Sequence, residues 1–299
     1  MSVVSCENLS KAYNNFSAVK NLSFDLGENK ITGLIGRNGA GKTTLLKLIA
    51  GFLRPTSGAV KVFSQNPFDN ITVSSNIIFI DDNMNFPVSL TLSEILDSAG
   101  MFYKNWDDKF ARKLISYFSL DLSQSHFGLS KGMKSTFNVI IGIATRCPLT
   151  LFDEPTTGMD SAVRKDFYRA LLKDYVEHPR TFILSSHLLN EIDDILEDVL
   201  LIKDGTKALH LPVLDLKEYA IGLRGSQDVL KDFSSKDIIH EESFGSDSSY
   251  IVVKNQFSQT KLEQLKASGV SMTSVASDDL CNYLTAKTKG GIDDVFNRE

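Results

Sequence analysis

A glycine-rich run, Gly36-Arg37-Asn38-Gly39-Ala40-Gly41-Lys42-Thr43, fits the phosphate-loop pattern G-x-x-x-x-G-K-[ST]. Glycines are needed there because backbone N–H groups must close around phosphate oxygens without a Cβ in the way. The run follows an apolar segment and opens one of helical period, whose N-terminus adds partial positive charge. We expect Lys42 to meet the β and γ phosphates, the Thr43 hydroxyl to ligate Mg²⁺, and Thr44 to help anchor a phosphate.

A pair of acids provides the second chemical feature. Asp153 and Glu154 follow a run that reads as a strand covered on both faces. Two adjacent acids at the end of such a strand are costly to bury without a role. We expect Asp153 to hold Mg²⁺ through water. Glu154 is the candidate general base for the water that attacks the γ-phosphate.

The elements that must position these residues alternate between short β-like runs and segments of helical period, up to about residue 205. The β-like runs are Val3–Cys6, Ile31–Ile35, Ala59–Phe63, Asn76–Ile80, Leu149–Asp153, Thr181–Ser185 and Val199–Ile202. This alternation predicts an α/β core with a largely parallel sheet. Ligands of such sheets bind at the carboxyl ends of the strands, where the two acids stand.

The sequence changes character after Gly205, becoming richer in Ser and Asp with shorter elements. We therefore expect a first domain at 1–205, a linker at 206–216 and an accessory or regulatory domain at 217–299. The order strand, helix, strand, strand, helix, strand in the last part predicts a small α+β domain of the ferredoxin-like type. A turn at 245–247 and a final helix at 278–287 complete this prediction.

Composition excludes several classes of protein. The net charge of −5 gives the molecule no general basic field, so we expect no nucleic-acid partner. The three cysteines, Cys6, Cys147 and Cys281, are far apart and lack metal-site spacing, which indicates a reducing compartment. No stretch reaches the 18 apolar residues expected of a transmembrane helix, and the N-terminus lacks a signal-peptide pattern.

The segment Leu129-Ser130-Lys131-Gly132-Met133 resembles the LSGGQ signature of ABC ATPases. In that family the signature serine and second glycine hold the γ-phosphate of a nucleotide bound to the opposite subunit, and here they would be Ser130 and Gly132. The resemblance covers residues 1 to about 205. It implies a P-loop NTPase fold of the ABC cassette type, with a helical subdomain at about 85–147.

The same resemblance implies ATP and Mg²⁺ as cofactors and assigns further roles. Tyr13 would stack on adenine, Asp160 belongs to the D-loop, and His187 would be the switch histidine. Two departures stand out. The signature has Lys131 and Met133 where Gly and Gln are usual, and Asp82 takes the place of the Q-loop glutamine that would ligate Mg²⁺.

These features imply the ATP-binding and ATP-hydrolysing subunit of an ABC transporter. Such a subunit would dimerise, as a homodimer or with a second ATPase, and drive a separate membrane permease from the cytoplasmic face, with residues 82–103 receiving the permease. The signature and the stretch at 102–106 look like bacterial exporters of antimicrobial or cytolytic peptides (phenol-soluble-modulin-type) or drugs. The alternative is a non-transport or regulatory ABC ATPase that acts as a sensor or interaction protein.

Overall fold

The computed structural model describes residues 2–231, 233–234, 237–244 and 247–286. The chain divides into two compact units, Met1–His210 and Leu211–Glu299. No helix in these described ranges is both long and apolar enough to cross a membrane.

The first unit carries nine strands and six helices of the α type. The strands are β1 (Ser2–Tyr13), β2 (Phe16–Gly27), β3 (Ile31–Ile35), β4 (Ser57–Val62), β5 (Ile77–Ile80), β6 (Leu149–Asp153), β7 (Thr181–Ser186), β8 (Asp198–Lys203) and β9 (Thr206–Pro212). The helices are α1 (Lys42–Ile49), α2 (Ile71–Ser74), α3 (Leu92–Phe102), α4 (Asp108–Tyr117), α5 (Lys131–Ala144) and α6 (Ser161–Glu177).

The central sheet has six strands in the order β5-β6-β7-β3-β8-β9. Strands β5, β6, β7, β3 and β8 pair in parallel, as the alternation of elements predicted. Because both faces of this sheet are covered, β3, β6 and β7 are buried along their whole length. Their carboxyl ends meet at one edge, where the phosphate loop and Asp153 lie.

A second sheet, β2-β1-β4, is antiparallel. Strand β2 was not among the predicted runs, although its buried residues alternate with exposed ones over part of its length. The β1–β2 hairpin ends in the pair Tyr13 and Phe16, with Asn14 at a positive φ of 50° in the turn. Asparagine tolerates this left-handed conformation better than most residues, which allows a tight connection.

The segment expected to be a helical subdomain contains α3, α4 and α5. Helix α3 begins with a capping box, in which Thr91 accepts from the backbone N–H of Glu94 and the Glu94 carboxylate accepts from that of Thr91. Helix α5 begins after Ser130, whose hydroxyl accepts from the N–H of Met133. Residues 131–144 on α5 are almost fully buried beyond the first turn.

The second unit contains α7 (Val213–Glu218), β10 (Ala220–Ser226), α8 (Gln227–Leu230), β11 (Ile238–Phe244), β12 (Ser248–Lys254), α9 (Gln259–Ala267), β13 (Ser271–Ser274) and α10 (Ser277–Thr285). Its sheet is antiparallel in the order β11-β12-β10-β13. With helices α8 and α9 between the strands, this is the ferredoxin-like arrangement that the element order predicted.

Some predicted boundaries differ. Residues 206–216, expected as a linker, form β9 and the start of α7. Strand β9 follows β8 through the two-residue turn Asp204-Gly205, in which both residues have positive φ, as a tight hairpin requires. Of the predicted turn at 245–247, positions 245 and 246 lie outside the described residues. So does Lys287 at the end of the last predicted helix.

Candidate active site

The phosphate loop connects β3 to α1 and is packed tightly against neighbouring backbone. Gly41 has φ of 106°, and a Cβ there would lie 2.3 Å from the carbonyl oxygen of Ala18. A Cβ on Gly36 would lie 2.5 Å from the carbonyl oxygen of Ile202. Glycine is therefore required at these two positions by the fold of the cassette as well as by the approach of a ligand.

Lys42 is 6% exposed and makes its contacts within the loop. Its Nζ donates to the carbonyl oxygen of Gly36 at 2.6 Å and to that of Arg37 at 3.4 Å. The same Nζ lies 3.2 Å from Glu154 Oε1. The ammonium is thus held where the loop closes, by partners that phosphate oxygens can replace.

The two acids at the end of β6 are tied to the neighbouring strand by Ser185. The Ser185 hydroxyl donates to Asp153 Oδ1 at 2.6 Å and accepts from the backbone N–H of Glu154 at 3.0 Å. Glu154 itself has φ of 48°, which turns the chain out of the strand at this point. The sequence did not lead us to predict Ser185 as a site residue. The feature that could have identified it is its position near the end of β7, a second strand that is buried along its whole length.

Glu154 joins two other predicted catalytic residues. Its Oε2 lies 2.9 Å from Nδ1 of His187, which is at the end of β7. Its Oε1 is buried and accepts no hydrogen bond from the described residues, although Lys42 Nζ is close. The structure therefore brings Lys42, Glu154 and His187 together from three separate loops. A buried carboxylate oxygen without a hydrogen-bond donor is suited to accept a hydrogen bond from a substrate or a water molecule.

A cavity of 230 Å³ opens over the loop. It is lined by residues 38–44, Glu154, Ala18 and Phe16. Phe16 is 62% exposed and was not predicted as a site residue, whereas the predicted adenine contact, Tyr13, is 43% exposed and does not line this cavity. The Lys11 ammonium lies 5.4 Å from the centre of the Tyr13 ring. The paired positions of Tyr13 and Phe16 place both aromatics at the same end of the hairpin.

The residues that could hold Mg²⁺ supply oxygen atoms, which this ion prefers. Thr43 lies on the cavity wall and Asp153 is buried beside the loop. No group of three or more His, Cys, Asp or Glu side chains suited to a metal occurs in the described ranges. The donor set therefore fits an ion that takes most of its ligands from phosphate and water.

Asp82, the predicted Q-loop position, is exposed and accepts from the side-chain amide of Asn83 at 2.9 Å. Its neighbour Asp81 is partly buried, and its carboxylate lies 3.9 Å from Lys47 Nζ. Burial raises the pKa of Asp81, and the negative charge of Asp153 adds to this.

Comparison with known proteins decides the family. A family model described as ABC transporter matches residues 19–157. The ABC transporter ATP-binding protein YdbJ of Bacillus subtilis is 32% identical over 68% of this chain and 67% of its own length. The bacitracin transport ATP-binding protein BcrA of Enterococcus faecalis is 30% identical over the same shares. This chain belongs to the ABC transporter ATP-binding protein family.

The relatives of this ABC ATPase also include YtrB of Bacillus subtilis, 26% identical over 76% of this chain and 77% of YtrB. Among solved structures, an ATP-binding subunit of an ABC transporter has a TM-score of 0.65 and 24% identity, covering 79% of this chain and 97% of that one. The MJ0796 cassette, solved as a dimer bound to ADP and Pi, has a TM-score of 0.62 at 23% identity and covers 70% and 98%. These two likenesses support the cassette fold.

The signature and D-loop of the ABC ATPase pack on each other. A Cβ on Gly132 would lie 2.4 Å from the carbonyl oxygen of Gly158, and Ser135 Oγ donates to the Thr157 carbonyl at 2.7 Å. Asp160 caps α6, accepting from the N–H groups of Ala162 and Val163.

Besides Tyr13, the predicted ATP contacts at the starts of α5 and α6 do not line the phosphate-loop cavity. Ser130, Gly132 and Asp160 are not among the described residues that line it. Ser130 is exposed at the start of α5. The family is one whose ATP-binding subunits dimerise and work with membrane permeases. The chain is an ABC-type ATP hydrolase.

Proposed function

We propose that this ABC ATPase drives a separate membrane permease from the cytoplasmic face of the cell membrane and exports peptides or drugs. The observation that carries the ATPase part is the convergence of Lys42, Glu154 and His187 beside the phosphate loop. The export part is supported by two relatives whose names describe bacitracin transport, from Bacillus licheniformis and Enterococcus faecalis.

The proposed reaction is hydrolysis of ATP. The phosphates draw the Lys42 ammonium away from the Gly36 and Arg37 carbonyls, which also loosens its hold on Glu154. Glu154 then accepts a proton from the water whose oxygen bonds to the γ-phosphorus, with His187 fixing the position of the carboxylate. The bond from the γ-phosphorus to the bridging oxygen breaks, and ADP leaves with that oxygen. Mg²⁺, bound by Thr43 and Asp153, would neutralise charge that develops on the phosphates.

The complete site forms between two subunits in this proposal. Ser130 and Gly132, at the N-terminus of α5, would meet the γ-phosphate held by the loop of the opposite subunit. Lys131 adds a cation at the same end of the helix. The second subunit is another copy of this chain or a related ATPase. Binding of two nucleotides would favour the closed dimer and so change the conformation of the permease.

An apolar cavity of 520 Å³ offers a surface for the permease. Its walls include Met84, Phe86 and Pro87, and on the other side Phe102, which is 83% exposed. Met101 beside it is 86% exposed. Exposed apolar side chains of this size at a concave surface are typical of a binding site for another protein, so we place the permease contact here, within the predicted region 82–103.

Co-purification tests this function. The chain is tagged, extracted with its native membranes in detergent, and assayed for ATP turnover beside a Glu154→Gln variant. We expect a hydrophobic membrane protein to copurify and to change turnover. Phe102→Asp should abolish that association while leaving the intrinsic turnover of the isolated chain unchanged. Robust turnover that no membrane protein influences would instead support a non-transport or regulatory ABC ATPase.

A further inference from the structure

Phe127 is an exposed aromatic on a rigid turn just before the signature. Its side chain is 72% exposed, while His126 and Leu129 on either side are 3% and 5% exposed. His126 Nε2 lies 2.9 Å from Asn138 Oδ1 of α5, and its ring packs against Phe86 and Phe137. Because both neighbours are anchored in the core, the turn presents the Phe127 ring outward in a fixed position.

A cation accompanies this ring. Lys134 Nζ lies 5.3 Å from the ring centre, within range of a cation–π contact. The backbone N–H of Lys134 donates to the Ser130 carbonyl, so Lys134 belongs to the first turn of α5. Lys131 and Lys134 stand in that turn and no acid does, although cations are unfavourable at a helix N-terminus. An anionic ligand would offset this cost.

Among the described residues that line the phosphate-loop cavity, Phe16 is the one aromatic side chain. Phe16 lines the phosphate-loop cavity and is 62% exposed, with Tyr13 paired to it across the hairpin. A nucleobase bound against this hairpin would keep its second face open within one subunit. Phe127 precedes Ser130 by three residues, so their Cα atoms are at most about 10 Å apart. The Phe127 ring therefore lies close to the residue that would meet the γ-phosphate in the proposed two-subunit site.

We propose that Phe127, held with Lys134, packs on the base of the ATP molecule that the opposite subunit binds, so that the base lies between aromatics of two subunits. The inference rests on the proposed two-subunit site, in the form built from two copies of this chain. Phe127 would then be a specificity residue. Its ring would favour ligands that carry a nucleobase and would contribute little to recognition of the phosphates. Aromatic stacking of this kind accepts any base with a π-face.

Steady-state ATP hydrolysis by the full chain tests this, with inorganic tripolyphosphate as a competing ligand that has no base. We expect Phe127→Ala to raise KM for ATP roughly 5- to 30-fold while the inhibition constant of tripolyphosphate stays unchanged. Phe127→Tyr should restore KM to within about twofold, since it keeps the ring. Phe244→Ala is a matched control, because Phe244 is 47% exposed with Arg224 5.0 Å from its ring centre in the other unit.

Two results would overturn the inference. An unchanged KM in Phe127→Ala is one, and an equal change for ATP and tripolyphosphate is the other. Sedimentation of Glu154→Gln with ATP separates this failure from that of the proposed function. If the Glu154→Gln chain forms no dimer with ATP, the two-subunit site between copies of this chain fails, and the role of Phe127 fails with it. If it dimerises and KM is unchanged, only the role of Phe127 is wrong.

Discussion

At the scale of single residues, the contacts of Lys42 connect binding to catalysis. Its ammonium is shared between loop carbonyls and Glu154 Oε1, at 2.6 Å from Gly36 O and 3.2 Å from the carboxylate. In the proposed mechanism, phosphate oxygens compete with these contacts and release the carboxylate for the attacking water. The same lysine would then both hold the substrate and control the base.

The first prediction concerns Glu154→Gln. Loss of the general base should lower turnover roughly 10²- to 10⁴-fold. ATP should bind at least as tightly as in the wild type, because a neutral amide no longer competes for the Lys42 ammonium. Phosphate release and equilibrium nucleotide binding measure the two effects, with the surface substitution Glu7→Gln as control. Hydrolysis at the wild-type rate would show that another group is the base.

The second prediction concerns Lys42→Ala. This change removes the cation for the phosphates and leaves the buried Glu154 Oε1 without its nearby charge. We expect ATP affinity to fall roughly 10- to 100-fold, the scale of hydrogen bonds to charged groups. Titration calorimetry with ATP measures it. Unchanged affinity would mean that the backbone of the loop binds the phosphates without help from Lys42.

At the scale of elements, the start of α5 and the D-loop form one packed unit. Gly132 allows the carbonyl of Gly158 to approach the helix, and Ser135 donates to the Thr157 carbonyl. Ser130 and Asp160 cap the two helices that begin at this place, α5 and α6. A displacement of the D-loop would thus also move the signature at the start of α5.

The third prediction is that Gly132→Ala disturbs this unit. The new Cβ would lie 2.4 Å from the Gly158 oxygen, so one backbone must shift. Overpacking of this kind costs about 1 to 3 kcal/mol of unfolding free energy, and we expect turnover to fall while ATP still binds the phosphate loop. Gly128→Ala is the control, because its nearest contact would be Ser125 Oγ at 3.7 Å. Equal thermal stability and turnover of the two variants would contradict the packing argument.

At the scale of the whole molecule, the chain consists of a large cassette unit and a smaller ferredoxin-like unit with its own core. That smaller core centres on Leu223, Ile251 and Val253. Small domains bury a smaller fraction of their surface, so the second unit should be the less stable of the two.

The fourth prediction uses the cysteines as reporters of each unit. Burial raises the pKa of Cys6 to about 12, of Cys147 to about 11 and of Cys281 to about 12. A raised pKa keeps a thiol neutral, so none of the three should react with Ellman's reagent at about pH 8 in the folded chain. With added guanidinium chloride, mass spectrometry should find Cys281 modified at a lower concentration than Cys6 and Cys147. Simultaneous labelling of all three would indicate that the units unfold together.

Part of this molecule is determined by its sequence alone. The phosphate loop, the acids after β6 and the signature are contiguous segments, and each contains the residues that its local geometry requires. The parallel core and the ferredoxin-like order followed from hydrophobic periodicity and the order of elements, because these depend on short-range patterns. Strands β2 and β9 were missed, since their apolar pattern is weaker and their pairing is set by strands already formed.

The tertiary structure decided what depends on residues far apart in the chain. Only strand register brings His187 to Glu154, and Ser185 to Asp153. The structure leaves Asp82 exposed and Asp81 partly buried after β5, a difference that sequence spacing does not record. Phe16 joins the cavity because the hairpin folds back over the phosphate loop. Such long-range contacts follow from the packing of whole elements, which no local pattern in the sequence records.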